Sequence, residues 1–134
     1  MMESKDWVLI VDDDEDIGWA VQVILCDHGL RTVAATSARA ALEIMRGSSP
    51  PTVMVVDLRM PTMSGQELVS AVRQDTALAG IRIIGMSGEM DGPDIARELR
   101  LADYLVKPID VSRLVAAVRQ AIATPGGDGA EAGL

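Results

Sequence analysis

The chain has 134 residues, 49% of them hydrophobic, yet only Trp7, Trp19 and Tyr104 are aromatic and there is no Phe. That is enough for one domain with a real core, built from Val, Ile, Leu, Ala and Met. Twenty acidic against 12 basic residues give a formal charge of −8, which argues against neutralising nucleic-acid phosphates and leaves a basic partner protein open.

Met1 to Asp6 is a polar, charged extension, and the next apolar run is only Val8 to Val11. Neither a signal peptide nor a membrane span is expected, and the chain reads as cytoplasmic. Val8-Leu9-Ile10-Val11 is a buried strand that runs into Asp12-Asp13-Asp14-Glu15-Asp16. A helix follows from about Glu15 to His28, with Asp14 as N-cap and Gly29 as stop. Within it, Ile17, Val21, Ile24 and His28 share the core-facing side, while Trp19, Val23 and Cys26 lie opposite. Cys26 is the one cysteine; it excludes an intramolecular disulfide, suits a reducing compartment and reads as a buried structural thiol.

Arg31 to Ala35 is a short strand. Thr36 or Ser37 caps a helix running through Met45, and Gly47-Ser48-Ser49-Pro50-Pro51 is a loop. Val53-Met54-Val55-Val56-Asp57 is a wholly apolar run ending in one carboxylate, a strand buried on both faces. Ser64 caps a third helix with Leu68, Val69 and Val72 at helical spacing. Ile81 to Met86 is a fourth strand ending at Ser87-Gly88. Asp91-Gly92-Pro93 opens a short helix. Tyr104-Leu105-Val106 is a fifth strand running into Lys107-Pro108. Asp110 caps a last helix with Val111, Leu114, Val115, Val118 and Ile122 in one stripe. Thr124 to Leu134 reads as a flexible tail or linker.

Strands alternating with helices imply an α/β fold, a five-stranded parallel sheet with helices on both faces, and the flavodoxin-like order 2-1-3-4-5 of that fold class fits five such units. The main domain would span residues 7–123. In that order the first and third strands are neighbours, so the Asp12-Asp13 turn and Asp57 converge. Packed carboxylates need protons or a cation, and oxygen-only ligands suit Mg²⁺ or a similar ion such as Mn²⁺. Lys107 would add a fixed positive charge and Ser87 a hydroxyl. A carboxylate nucleophile, a divalent cation, a lysine and a hydroxyl together match phosphoryl transfer. Singly, each has a plainer reading: an over-capped helix start, a turn serine, a solvated lysine.

With Val11-Asp12-Asp13, Asp57-Leu58-Arg59-Met60-Pro61 and Gly65, Ser87-Gly88, and Asp103 to Pro108 in this order, the chain resembles a response-regulator receiver domain (CheY-like superfamily) of two-component signalling. The resemblance implies that Asp57 accepts a phosphoryl group from a histidine kinase or histidine phosphotransfer protein. It implies Mg²⁺ on Asp13, Asp57 and the Arg59 carbonyl, with Asp12 through water. Lys107 would contact the phosphoryl group across a cis Lys107-Pro108 bond, and Ser87 and Tyr104 would form the switch pair. Such a domain is modified once per cycle rather than turning over substrate. The chain departs from the family in a short interval between Ser87 and Lys107, in Ile109 where an aromatic is common, in Gly88 for a more usual Ala, and in Arg59 and Glu89, whose charges could pair across the pocket mouth. The Trp19–Val23 stripe suggests a kinase-docking surface or a face covered by a flanking segment. Two rival functions are a receiver-fold interaction module that ignores phosphate, and an aspartate-nucleophile phosphohydrolase of the haloacid-dehalogenase type. Asp16 fits the latter's opening motif poorly, and no cap domain fits the length.

Overall fold

Five short apolar runs form the strands: β1 (Val8–Val11), β2 (Thr32–Ala35), β3 (Val53–Asp57), β4 (Arg82–Ser87) and β5 (Asp103–Val106). All pair in parallel, in the order β2-β1-β3-β4-β5. The helices between and after them are α1 (Glu15–Asp27), α2 (Ala38–Gly47), α3 (Gly65–Gln74), α4 (Gly92–Leu99) and α5 (Val111–Ala123). This computed structural model describes residues 5–47, 49–60, 63–88 and 92–124. Pro61, Glu89, Asp91 and the tail from residue 125 lie outside the described residues, as do the first four.

Strand alternation splits the core into two layers. Leu9, Val11, Met54, Val56 and Ile83 face α2, α3 and α4, while Val8, Ile10, Val53, Val55, Ile84 and Met86 face α1 and α5. β1 and β3 are buried along their whole length. Each fully buried Val, Leu or Ile contributes roughly 1.5–3 kcal/mol over its exposed state. The aliphatic core expected from composition is present: every fully buried large side chain is Leu, Ile or Met.

Local signals set the ends. Asp14 caps α1 by accepting from Asp16 N and Ile17 N, and Gly29 leaves the helix at φ 82°. Ser37 Oγ, rather than Thr36, accepts from Ala40 N at 3.0 Å. Ser64 and Glu67 form a reciprocal capping box on α3. Arg31 and Ile81 fall outside their strands, and Ser87 and Asp103 fall within theirs.

Three expectations need correction. In α1 the buried residues are Gly18, Val21 and Leu25, while His28 is exposed; apolar residues run almost all round this helix, so spacing alone could not fix its phase. Cys26 is not a buried thiol: it is exposed, 3.3 Å from Thr32 Oγ1, because it sits on the helix side away from Leu25. In α5, Val111 is 48% exposed and Ala117 and Ala121 take core places, because small residues let the helix approach the sheet closely. No helix among the described residues is long and apolar enough to cross a membrane.

Candidate functional site

A parallel sheet brings the carboxyl ends of all its strands to one edge. Val11 lies opposite Val56, so the next residues, Asp12 and Asp57, become neighbours. β4 contributes Ser87 as its last residue, and Lys107 follows β5 directly. The buried polar or charged residues among those described are Asp12, Asp57 and Ser87. All three stand at this one edge. Burying charge without return is costly, so their concentration marks the edge as built for a task.

Lys107 Nζ lies 3.2 Å from Asp12 Oδ2 and 3.2 Å from Asp57 Oδ2. The other oxygens are held by backbone: Asp57 Oδ1 accepts from Arg59 N at 2.9 Å, and Asp12 Oδ1 accepts from Asp14 N at 2.9 Å. Asp14 thus positions Asp12 with its N–H and caps α1 with its side chain. Lys107 N donates to Ser87 O at 2.8 Å, tying the lysine to β4, and the Lys107-Pro108 bond is cis.

Asp12, Asp13 and Asp57 each offer an oxygen within 4.8 Å of the others. At an effective dielectric near 20, two like charges about 4 Å apart repel by roughly 4 kcal/mol. Burial, followed by repulsion from Asp57 among the raising influences, holds the Asp12 carboxyl above the usual carboxylate range despite the Asp14 N–H and Lys107. For Lys107, burial pulls downward, but the charges of Asp12 and Asp57 more than offset it, so its ammonium titrates above the usual lysine range. Two carboxylates share one ammonium, with a third close by. Hard oxygen donors with excess negative charge fit Mg²⁺ or Mn²⁺.

The remaining predicted residues are placed around this cluster. Asp13 and Arg59 are exposed at its mouth. Tyr104 is half-buried on the α2–α4 side and pairs in register with Gly85, two positions before Ser87. Trp19 is 67% exposed and Val23 38%, on the outward face of α1 and outside the cluster.

Gly65 carries more than its sequence position suggests. A Cβ there would stand 2.6 Å from Leu58 Cα and closer still to the carbonyl oxygen of Asp57. Only glycine lets the start of α3 press on the end of β3. As a sequence it reads simply as a breaker before a helix.

The family model for the response regulator receiver domain matches residues 8–119. The chain belongs to that family. The receiver domain is 32% identical over 115 residues to the DNA-binding transcriptional regulator NtrC of Escherichia coli K12, covering 86% of this chain but only 24% of that regulator. It is 38% identical over 117 residues to the two-component response regulator ORR11 of Oryza sativa subsp. japonica, covering 83% of this chain and 79% of that protein. Its fold superimposes with a TM-score of 0.84 on a putative response regulator from Chloroflexus aurantiacus J-10-fl, at 26% identity over 90% of this chain and 100% of the other. Membership sets the receiver domain in two-component signal transduction, in a family whose members are generally not turnover enzymes.

Proposed function

We propose that this receiver domain accepts a phosphoryl group on Asp57 from a histidine kinase or histidine phosphotransfer protein of the cytoplasm. The observation that supports it most is the placement of Asp57: buried at the end of β3, hydrogen-bonded through Oδ1 and 3.2 Å from Lys107 through Oδ2. An Asp57 oxygen attacks phosphorus, the P–N bond to the donor imidazole breaks with its electron pair returning to the ring, and an acyl phosphate forms. Lys107 neutralises charge on the transferred oxygens, and the fixed Arg59 N–H orients the nucleophile. Asp12, Asp13, Asp57 and the Arg59 carbonyl would hold Mg²⁺ or Mn²⁺, which when bound would supply positive charge against the phosphoryl oxygens. Ser87 binds the new phosphoryl group and Tyr104 responds as its switch partner. The domain is modified once per signalling cycle and spans residues 7–123. Its downstream partner is a protein rather than a nucleic acid.

Intact mass after incubation with Mg²⁺ and acetyl phosphate tests this reading. The wild type gains one phosphoryl group and Asp57→Asn gains none. Labelling of Asp57→Asn equal to the wild type would sink the assignment. The donor protein packs on the Trp19–Val23 stripe of α1. Trp19→Ala slows transfer from the cognate kinase and leaves acetyl phosphate labelling alone; unchanged transfer would refute the docking site.

A further inference from the structure

Helix α4 is held differently from the others. Helices α1, α2, α3 and α5 each bury three or four residues. In α4 none of the described side chains is buried; Ile95 and Leu99 only half-pack against the sheet. Few buried apolar contacts mean low local stability. At its start, α4 follows the segment leaving Ser87, so this end is tied by chain to the site.

The far end of α4 is anchored by hydrogen bonds instead. Leu101 N donates to Ala96 O at 2.9 Å and Arg100 N to Arg97 O at 3.3 Å, the two bonds of a Schellman closure. That closure wants glycine at its left-handed position, yet the residue there is Arg100, at φ 56°. A non-glycine residue pays about 1–2 kcal/mol for that conformation. What holds it is Arg73, in the last turn of α3. Its guanidinium donates to Arg100 O at 2.8 Å, to Ile81 O at 2.9 Å and to Ala79 O at 3.2 Å. One planar group thus joins the end of α3, the loop before β4 and the turn between α4 and β5. Leu101, next in the chain, packs at Gly85, where an added Cβ would stand 2.9 Å from Leu101 Cδ1.

We propose that Arg73 is a latch that makes the Arg100 turn a fixed pivot, so that α4 moves at its Ser87-side end while its far end stays pinned. The latch belongs to the resting protein; that a phosphoryl group triggers the movement rests on the function proposed above.

Residue-resolved amide exchange in Arg73→Gln and Arg73→Lys tests the latch. Lysine keeps the charge and cannot span three carbonyls. In both variants the Arg100 and Leu101 amides exchange roughly ten- to a hundredfold faster, the range expected for lost charged hydrogen bonds. The Val55 and Val56 amides in β3 keep their wild-type rates. Unchanged rates at Arg100 and Leu101 overturn the latch, and so does an equal rise at Val55 and Val56, which marks a general loss of stability. Arg100→Gly leaves Arg73 in place and relieves the strained backbone, so turn exchange slows about fivefold or more; no slowing overturns the pivot. After wild-type protein is phosphorylated with acetyl phosphate, verified by mass, amides early in α4 change and those of Arg100 and Leu101 do not. Change centred on Arg100 refutes the pivot. A failure to gain mass counts against the phosphoacceptor reading alone, because the resting-state measurements decide the latch.

Discussion

Strand β5 carries an ion cluster at each end, and the two are built on opposite plans. At its start, Asp103 is gripped by Arg113 of α5 through two bonds of 2.8 and 2.7 Å. One cation meets one anion, and both are partly exposed. Just past its end, Lys107 is shared between two buried carboxylates, with Asp13 close by. The first cluster is charge-matched. The second carries more carboxylates than cations, in a place where excess charge is costly. The bond from Arg113 holds the Asp103 carboxyl below the usual range, while burial lifts that of Asp12 above it. A cluster that only needs to hold α5 on β5 can be satisfied at rest. Under the function proposed above, the second cluster recruits a cation and a phosphoryl group, and its excess of carboxylates at rest suits that role.

The sharpest way to break this contrast is to remove the shared cation. Lys107→Ala leaves Asp12 and Asp57 buried without it. In chelator the variant loses roughly 3 kcal/mol, the low end for breaking a buried pair because Lys107 keeps some solvent contact. Its acetyl phosphate labelling slows roughly a hundredfold or more. Urea denaturation and timed intact mass read the two effects; unchanged labelling would remove Lys107 from the chemistry.

Next in size is the metal. Mg²⁺ at about 100 times its dissociation constant stabilises the wild type by roughly 2.7 kcal/mol, read as a rise in Tm that chelation reverses. Asp13→Asn loses most of that rise, and Asp103→Asn keeps it. Equal loss in both variants would mean that the ion is not bound at the acidic pocket. Between these and the smallest effect stands Gly65→Ala, whose added methyl forces α3 away from β3 at a cost of about 1–3 kcal/mol by urea denaturation. A cost near zero would show that α3 and β3 need not approach this closely.

The two clusters also differ in how far they are legible in the sequence. Asp12, Asp57 and Ser87 each follow a largely buried apolar run and Lys107 follows a short apolar one with Val106 exposed, and a parallel sheet turns that one-dimensional regularity into a common edge. The alternation of strands and helices implies a parallel sheet, while the order 2-1-3-4-5 comes from the fold class and not from spacing. The Asp103–Arg113 pair leaves no such trace, since its partners sit ten residues apart on a strand and a helix. Arg73 and Arg100 are further apart still and meet through a backbone carbonyl, which any residue could supply. Phase is lost where apolar residues surround a helix. In α1 the core takes Leu25 rather than His28, and Cys26, one residue on, faces solvent. Gly65 is visible as a residue and invisible as a contact.

The smallest effect completes the contrast because its sign is set by pH. Asp103→Asn removes an exposed bidentate pair and costs about 0.2–1 kcal/mol at pH 7, discounted for solvent screening. The folded carboxyl of Asp103 titrates below its unfolded value, near 4. Its contribution is therefore fully present above about pH 4 and fades as pH falls through the lower folded value. For Asp12 in metal-free protein the sign reverses: its folded pKa is raised, so its contribution is present below about pH 4 and is lost as pH rises through the folded value. Urea denaturation in chelator at pH 7 and at pH 3 separates the two ends of β5. The gap between wild type and Asp103→Asn narrows toward pH 3. A gap that widens there would show that Arg113 does not act through the Asp103 charge, and the charge-matched end of β5 would lose its explanation.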